Sequence, residues 1–444
     1  MVISTRAASS SLSPGKANHH SQVVPLIILA VIAGIGIAAL RDRPLESDAL
    51  GYYEMSVDLL RGDVREFYWP VGWPAALAGV QWIFGESQSV VKAFSCAIAV
   101  ITLVMQLHLV RWLGLGLSGG RIAVAEGVIL LNAPYLMYHG MSAFVVVPMV
   151  FLGTCLAYSL LLTRLPWIAG ILTGLLAIVR AGSLAVLAVV VGWGARRSHR
   201  VGPLVAAGVL GILLFGAAVA WVSHKSHRFV PLNTANSINL FYGNHRDAPL
   251  YETWRWGSHD DDQKKRAISK SLAAQGLEGT PVRSPAAASA LGVEAVRQII
   301  SRPDLFVIRC VTRGSLLMAF DSSIGARMIK GGDRMLGYAF LGGMLILSLI
   351  TKTCVVVGGF GSAFPHRRLC LWLLVGLVIP HVVAFAHPSY GHMFVTMVLP
   401  LAAVGAASAD RRQLAQHGRI IWPWGIAIIA SHAMYLAYMA GSRS

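Results

Sequence analysis

Residues 23–40 read VVPLIILAVIAGIGIAAL, eighteen apolar side chains without a break. A bilayer's hydrocarbon core needs roughly 20 such residues in a helix, so this run is a spanning segment. It is too long for the h-region of a cleaved signal peptide, and no A-x-A site follows it. Comparable runs recur to the C-terminus. Over 444 residues, 55% are hydrophobic and 13% charged; a soluble domain carries about 25% charged. The sequence therefore specifies an all-α polytopic membrane protein.

Working outward, spans fall at about 89–110, 122–138 and 144–162. Residues 167–194 are apolar for 28 residues, interrupted by Arg180-Ala-Gly182. One span there would put Arg196, Arg197 and Arg200 outside, against the positive-inside tendency. Two short spans turning at Arg180 keep that cluster inside, so a hairpin is expected. Arg180 then faces protein or a water-filled cavity, because a lipid-facing Arg is costly. Further spans are expected at 201–222, 336–357, 369–386, 394–407 and 420–440. Leu305–Phe320 is broken by Arg309 and Arg313 and is expected in the interface. The total is about 11–12 transmembrane helices in one unit, 23–440. Residues 1–22 are Ser-rich and acid-free, and read as a disordered cytoplasmic segment.

The loop 41–87 holds eight acids against four arginines, and therefore faces outward. The polar region 223–334 is the second long outer loop. The net charge is +17. No nucleic-acid motif accompanies it, so the charge reads as orientation and attraction of anionic membrane lipids. Cys96, Cys155, Cys310, Cys354 and Cys370 lack C-x-x-C spacing and read as small hydrophobes.

Within the first outer loop, Glu46-Ser-Asp48-Ala-Leu-Gly-Tyr52 leads into an amphipathic pattern ending at Gly62. The plain reading makes Ser47 or Asp48 the N-cap of a helix over 49–60. Tyr68-Trp69-Pro-Val-Gly-Trp73-Pro74 follows as an aromatic-proline turn. Its plain reading is an interfacial belt, and its functional reading is a platform for sugar rings.

These segments resemble the first outer loop of the GT-C superfamily of membrane glycosyltransferases, of the protein-mannosyltransferase and aminoarabinose-transferase kind. Ala177-Ile-Val-Arg180, the Asn-rich stretch Phe229 to Asn244, read as a short polar strand or turn with an aromatic-Gly-Asn ending, and His387-Pro-Ser-Tyr390-Gly-His392 resemble later family segments. The resemblance implies a GT-C-like bundle in the plasma (bacterial inner) membrane, with its site facing the periplasm or exterior. It implies transfer of a sugar from a polyprenyl-phosphate carrier to a lipid, glycan or protein hydroxyl, with inversion. Asp48 would be the base and Glu46 its reserve. Arg180, His392, Arg309 and Arg313 would hold the donor phosphate. Tyr52, Trp69, Trp73, Asn244, His245 and Tyr390 would contact sugar or acceptor. No metal site is assigned, although a divalent cation is compatible with the chemistry. Two departures stand out: the turn His139-Gly-Met-Ser-Ala-Phe144 carries no acid, and His392 stands where an Arg is usual. The rival readings are a transporter or flippase of a lipid-linked sugar, and a non-catalytic relative.

Overall fold

The computed structural model describes residues 20–64, 66–162, 166–197, 201–251, 256 and 261–441. Among the described residues there are eighteen α-helices, one short 3₁₀ turn and no strand. The expectation for the N-terminal segment falls mostly outside this range. Its last residues, from His20, already belong to α1 (His20–Leu40).

Among the described residues, five helices are long and apolar enough to cross a membrane: α4 (Gln88–Leu113), α9 (Val201–Lys225), α15 (Arg334–Phe360), α17 (Pro388–Ser408) and α18 (Arg411–Gly441). Shorter apolar stretches lie in α1, α6 (Val146–Leu162), α7 (Pro166–Val179) and α8 (Val186–Arg197). α17 is the axis of the bundle. It is buried from Gly391 to Gly405 and packs against α4, α6 and α5 (Gly119–Met141), and against α15 and α16 (Arg367–Val383). Small residues permit this. A Cβ on Gly358 would come within 2.4 Å of the Ala402 carbonyl oxygen, so the α15 and α17 backbones nearly touch.

The apolar stretch 167–194 forms the hairpin. Gly170 meets Ala207 and Gly174 meets Gly211, so α7 runs parallel to α9. Leu187 meets Gly211 and Val191 packs near Gly208, so α8 runs back the other way. Arg180 sits at the tip in extended backbone (φ −154°, ψ 105°), followed by the 3₁₀ turn Ala181–Ala185.

Two stretches differ from the sequence expectation. Tyr68–Pro74 opens a helix, α3 (Gly72–Phe84). Pro74 lies in its first turn, where a missing N–H costs nothing. Leu77 and Gln81 turn inward while Trp82, Ile83 and Phe84 stay exposed. The Asn-rich stretch, expected as a strand or turn, forms α10 (Ala235–Asn244). Asn233 Oδ1 accepts the Asn236 amide at 2.8 Å and starts the coil. Ile238, Phe241 and Tyr242 then bury one face at helical spacing. α10 shares a small core of its own with α11 (Asp262–Ala273), α12 (Pro285–Ser301) and the buried Trp256. α13 (Pro303–Met318) and α14 (Ser323–Lys330) return the chain to the bundle.

Candidate functional site

Helix α2 (Asp48–Arg61) lies in the first loop and buries Ala49, Tyr52, Met55 and Ser56 on one face. Gly62 ends it at φ 71°, a left-handed conformation that a side chain would strain. Ser47 precedes it at φ 54°, a position a non-glycine residue rarely takes. Ser47 occupies the cap position without a side-chain cap bond, and Asp48 is the first helical residue. The Asp48 carboxylate therefore does not serve as the cap. It accepts the Ser47 hydroxyl at 3.4 Å and lines a cavity of about 210 Å³.

Tyr52 and Trp69 form one wall of that cavity, ring centroids 4.9 Å apart, and Tyr68 stands edge-on to Trp69 at 4.6 Å. The start of α3 fixes the height of this wall. A Cβ on Gly72 would lie 2.8 Å from the backbone of Ile178 and Val179, so the aromatic turn presses directly on the segment before Arg180. Opposite stand Arg180, His381 and Tyr390. The Arg180 guanidinium lies 3.8 Å from the centre of the Tyr390 ring, and its Nε donates to His381 Nε2 at 2.9 Å. His381 Nδ1 meets the Leu377 carbonyl at 3.0 Å, so the imidazole is the neutral Nδ1–H tautomer. The two terminal nitrogens of Arg180 keep no acceptor among the described residues. Asn233, Asn236 and Asn239 complete the lining. Asn233 is fully buried, and its Nδ2 donor has no partner. An orphaned donor at a cavity wall suits a ligand oxygen.

Burial raises the Asp48 pKa above its ordinary value. Arg327 offsets this most, followed by the Ser47 hydroxyl, Arg180 and Arg283. Arg327 faces the Phe144 ring at 5.2 Å and Arg283 the Tyr68 ring at 4.4 Å. Both cations reach Asp48 from far along the chain. Neither lies in a motif, and only their basic type in the outer loop hints at them.

No family model, curated protein or solved structure matches this chain.

The geometry of the site brings Asp48, Tyr52, Trp69, Arg180 and Tyr390 together and sends the other candidates elsewhere. Arg309 and Arg313 are buried and spend their terminal donors mainly on backbone carbonyls, while Arg309 Nε has no partner among the described residues. Arg309 donates to the carbonyls of Asn244 (2.8 Å) and Ala248 (2.9 Å). Arg313 donates to Ala384 O (2.8 Å), Gly243 O (3.2 Å) and Asn244 Oδ1 (3.1 Å). Together they clamp the carbonyl end of α10, where cations also suit the helix dipole. Gly243 is required there, because a Cβ would lie 1.8 Å from Ala384 O. The aromatic-Gly-Asn segment is thus a clamp rather than a sugar contact. His245 is buried against Phe241 and Trp256 (4.7 and 5.7 Å). His392 is buried in α17, bonded to Asn132 Oδ1 at 2.9 Å and edge-on to Tyr135. Trp73 donates to the Ala143 carbonyl at 2.9 Å and stacks on Phe94. Glu46 is exposed and does not line the cavity.

A divalent cation finds a poor home in this set. Among the described residues Asp48 is the lone carboxylate of the cavity, and His381 Nε2 is already occupied. Among the described residues no three His, Cys, Asp or Glu side chains converge. Hard cations need several oxygen ligands, and the described lining of this cavity supplies one carboxylate.

Proposed function

We propose that this protein is a membrane glycosyltransferase similar to the GT-C superfamily, with about 11–12 transmembrane helices. It would move one sugar from a polyprenyl-phosphate carrier to a hydroxyl of a lipid, glycan or protein. The observation that carries this reading is that Asp48 and Arg180 line one cavity, with aromatic walls and the unsatisfied amide of Asn233 between them.

Asp48 takes the acceptor's hydroxyl proton as that oxygen bonds to the anomeric carbon. The bond from that carbon to the phosphate oxygen breaks on the opposite face, which inverts the configuration. The phosphate leaves with the electron pair, and the open donors of Arg180 meet the charge that develops there. Burial makes Asp48 a stronger base than a solvated carboxylate, while Arg327 helps keep it ionised. Tyr52 and Trp69 offer ring faces to the sugar's C–H surface. A cavity of about 210 Å³ suits one sugar ring rather than a long glycan.

The arginines of the opposite end, Arg367, Arg368, Arg411 and Arg412, favour a cytoplasmic position for that end. Asp48 then works at the outer face of a plasma (bacterial inner) membrane.

The test is transfer of radiolabelled sugars from a panel of polyprenyl-phosphate donors, using membranes that hold wild-type or Asp48→Asn protein. Loss of transfer at normal protein level and retained donor binding is expected. Transfer by the variant at the wild-type rate would sink Asp48 as base. Donor movement across the bilayer without transfer by either protein would favour a flippase.

A further inference from the structure

At the end of the bundle opposite Asp48, α8, α16 and α18 enclose a larger cavity of about 660 Å³. Its polar walls are His366, Arg367, Arg368, Gln413, Gln416 and His417, and among the described residues no acidic side chain lines it. The start of α16 adds its N-terminal amides, with His366 at the cap position. Arg367 is held in place by donating to the Ser362 carbonyl at 2.6 Å, whereas Arg368 is exposed. This is an anion site by charge and by donor supply.

A second cavity adjoins it and has the opposite character. It measures about 230 Å³ and is lined by Ala188, Val189, Gly192, Trp193 and Trp372, all without charge. Trp193 is a wall of both cavities. A polar, cationic chamber therefore shares its Trp193 wall with an apolar groove beside the α8 and α16 helices. A free phosphate compound would use the chamber and ignore the groove. An amphiphile with an anionic head would use both.

We propose that this junction is a binding site for an anionic phospholipid, its phosphate beside Arg367 and Arg368 and one acyl chain in the groove under Trp193. The site is independent of the glycosyl-transfer reading and remains if that reading fails. The lipid ties together α8, α16 and α18, three helices that meet around this chamber.

The test is native mass spectrometry of the full chain released from nanodiscs of phosphatidylcholine with a minor share of phosphatidylglycerol. Wild-type protein retains one phosphatidylglycerol per chain. Arg367→Gln/Arg368→Gln loses two nearby charges and about thirtyfold in retention. Arg411→Gln/Arg412→Gln removes the same charge outside the lining and keeps the lipid. Gly192→Leu plugs the groove. A Cβ at Gly192 meets nothing within 4 Å, so the added side chain has room at the groove wall. It loses phosphatidylglycerol about tenfold while its affinity for glycerol 1-phosphate, measured by calorimetry, stays unchanged. The proposal is overturned if wild-type protein shows no preference for phosphatidylglycerol, or if both arginine pairs matter equally. Unchanged lipid retention by Gly192→Leu, with displacement by glycerol 1-phosphate, would assign the chamber to a soluble phosphate instead.

Discussion

Arg180 and the pair Arg309 and Arg313 lie at the same end of the bundle, and all three interrupt apolar sequence. Their donors have different fates. Arg309 and Arg313 pass their terminal donors to carbonyls around Gly243 and Asn244 and hold α10 in place. Arg180 gives one nitrogen to His381, rests its face on Tyr390, and keeps two nitrogens open to the cavity. A positive charge in an apolar run thus marks either a structural clamp or a ligand site. The count of acceptors already supplied by the protein separates the two.

Substitutions can break this contrast, starting with the largest expected effect. Asp48→Asn should lower sugar transfer by about 10²–10⁴-fold, the usual weight of a general base, with thermal unfolding unchanged. Arg313→Met should act in the opposite way. It leaves buried acceptors unmet at about 1–3 kcal/mol each, so detergent-solubilised protein should unfold at lower temperature while each folded molecule keeps its donor KM. A raised donor KM with normal stability would move Arg313 out of the clamp. Arg180→Lys removes the planar fork and should raise the donor KM about tenfold with little change in unfolding.

A pH–rate profile sharpens the same comparison. The base must be ionised, so activity falls as pH drops through the Asp48 pKa. Burial raises that pKa, which places the acid limb above the ordinary carboxylate value of 3.8. Arg327→Gln removes the largest offsetting charge and should move the limb to higher pH, whereas Arg313→Lys should leave it in place. The smallest effect is expected from Trp73→Phe. Loss of its bond to Ala143 should cost about 1 kcal/mol of stability and leave the donor KM unchanged.

Much of the fold is legible in the sequence because bilayer thickness sets a length that apolar runs must match. The run at 23–40 and the break at Arg180 fall on a helix and on a hairpin tip, respectively. Local chemistry hid α3 and α10. Proline and tryptophan at 69–74 read as a turn, and four asparagines between 233 and 244 read as loop, until burial of one face decided otherwise. The cavity was legible where its parts sit close to a recognisable turn, as with Asp48, Tyr52 and Trp69. It was not legible for Arg283 and Arg327, whose approach to Asp48 depends on how distant helices cross. Nor does charge alone reveal that Arg309 and Arg313 find carbonyls waiting.

The amides of Thr234 and Ala235 end on the carbonyls of Phe67 and Tyr68 (2.9 and 3.3 Å). These partners leave the ribosome at very different times. At about 5–20 residues per second, on the order of ten to thirty seconds separate them, and Arg327 and Tyr390 emerge later still. During that interval the first loop meets only its earlier partners, such as Ala143 and the backbone of Ile178 and Val179. The lining of the Asp48 cavity is complete only once Tyr390 has been made. Closure of this chamber is therefore among the last events of biogenesis. A chain truncated before Tyr390 would insert its early spans and still lack an enclosed site.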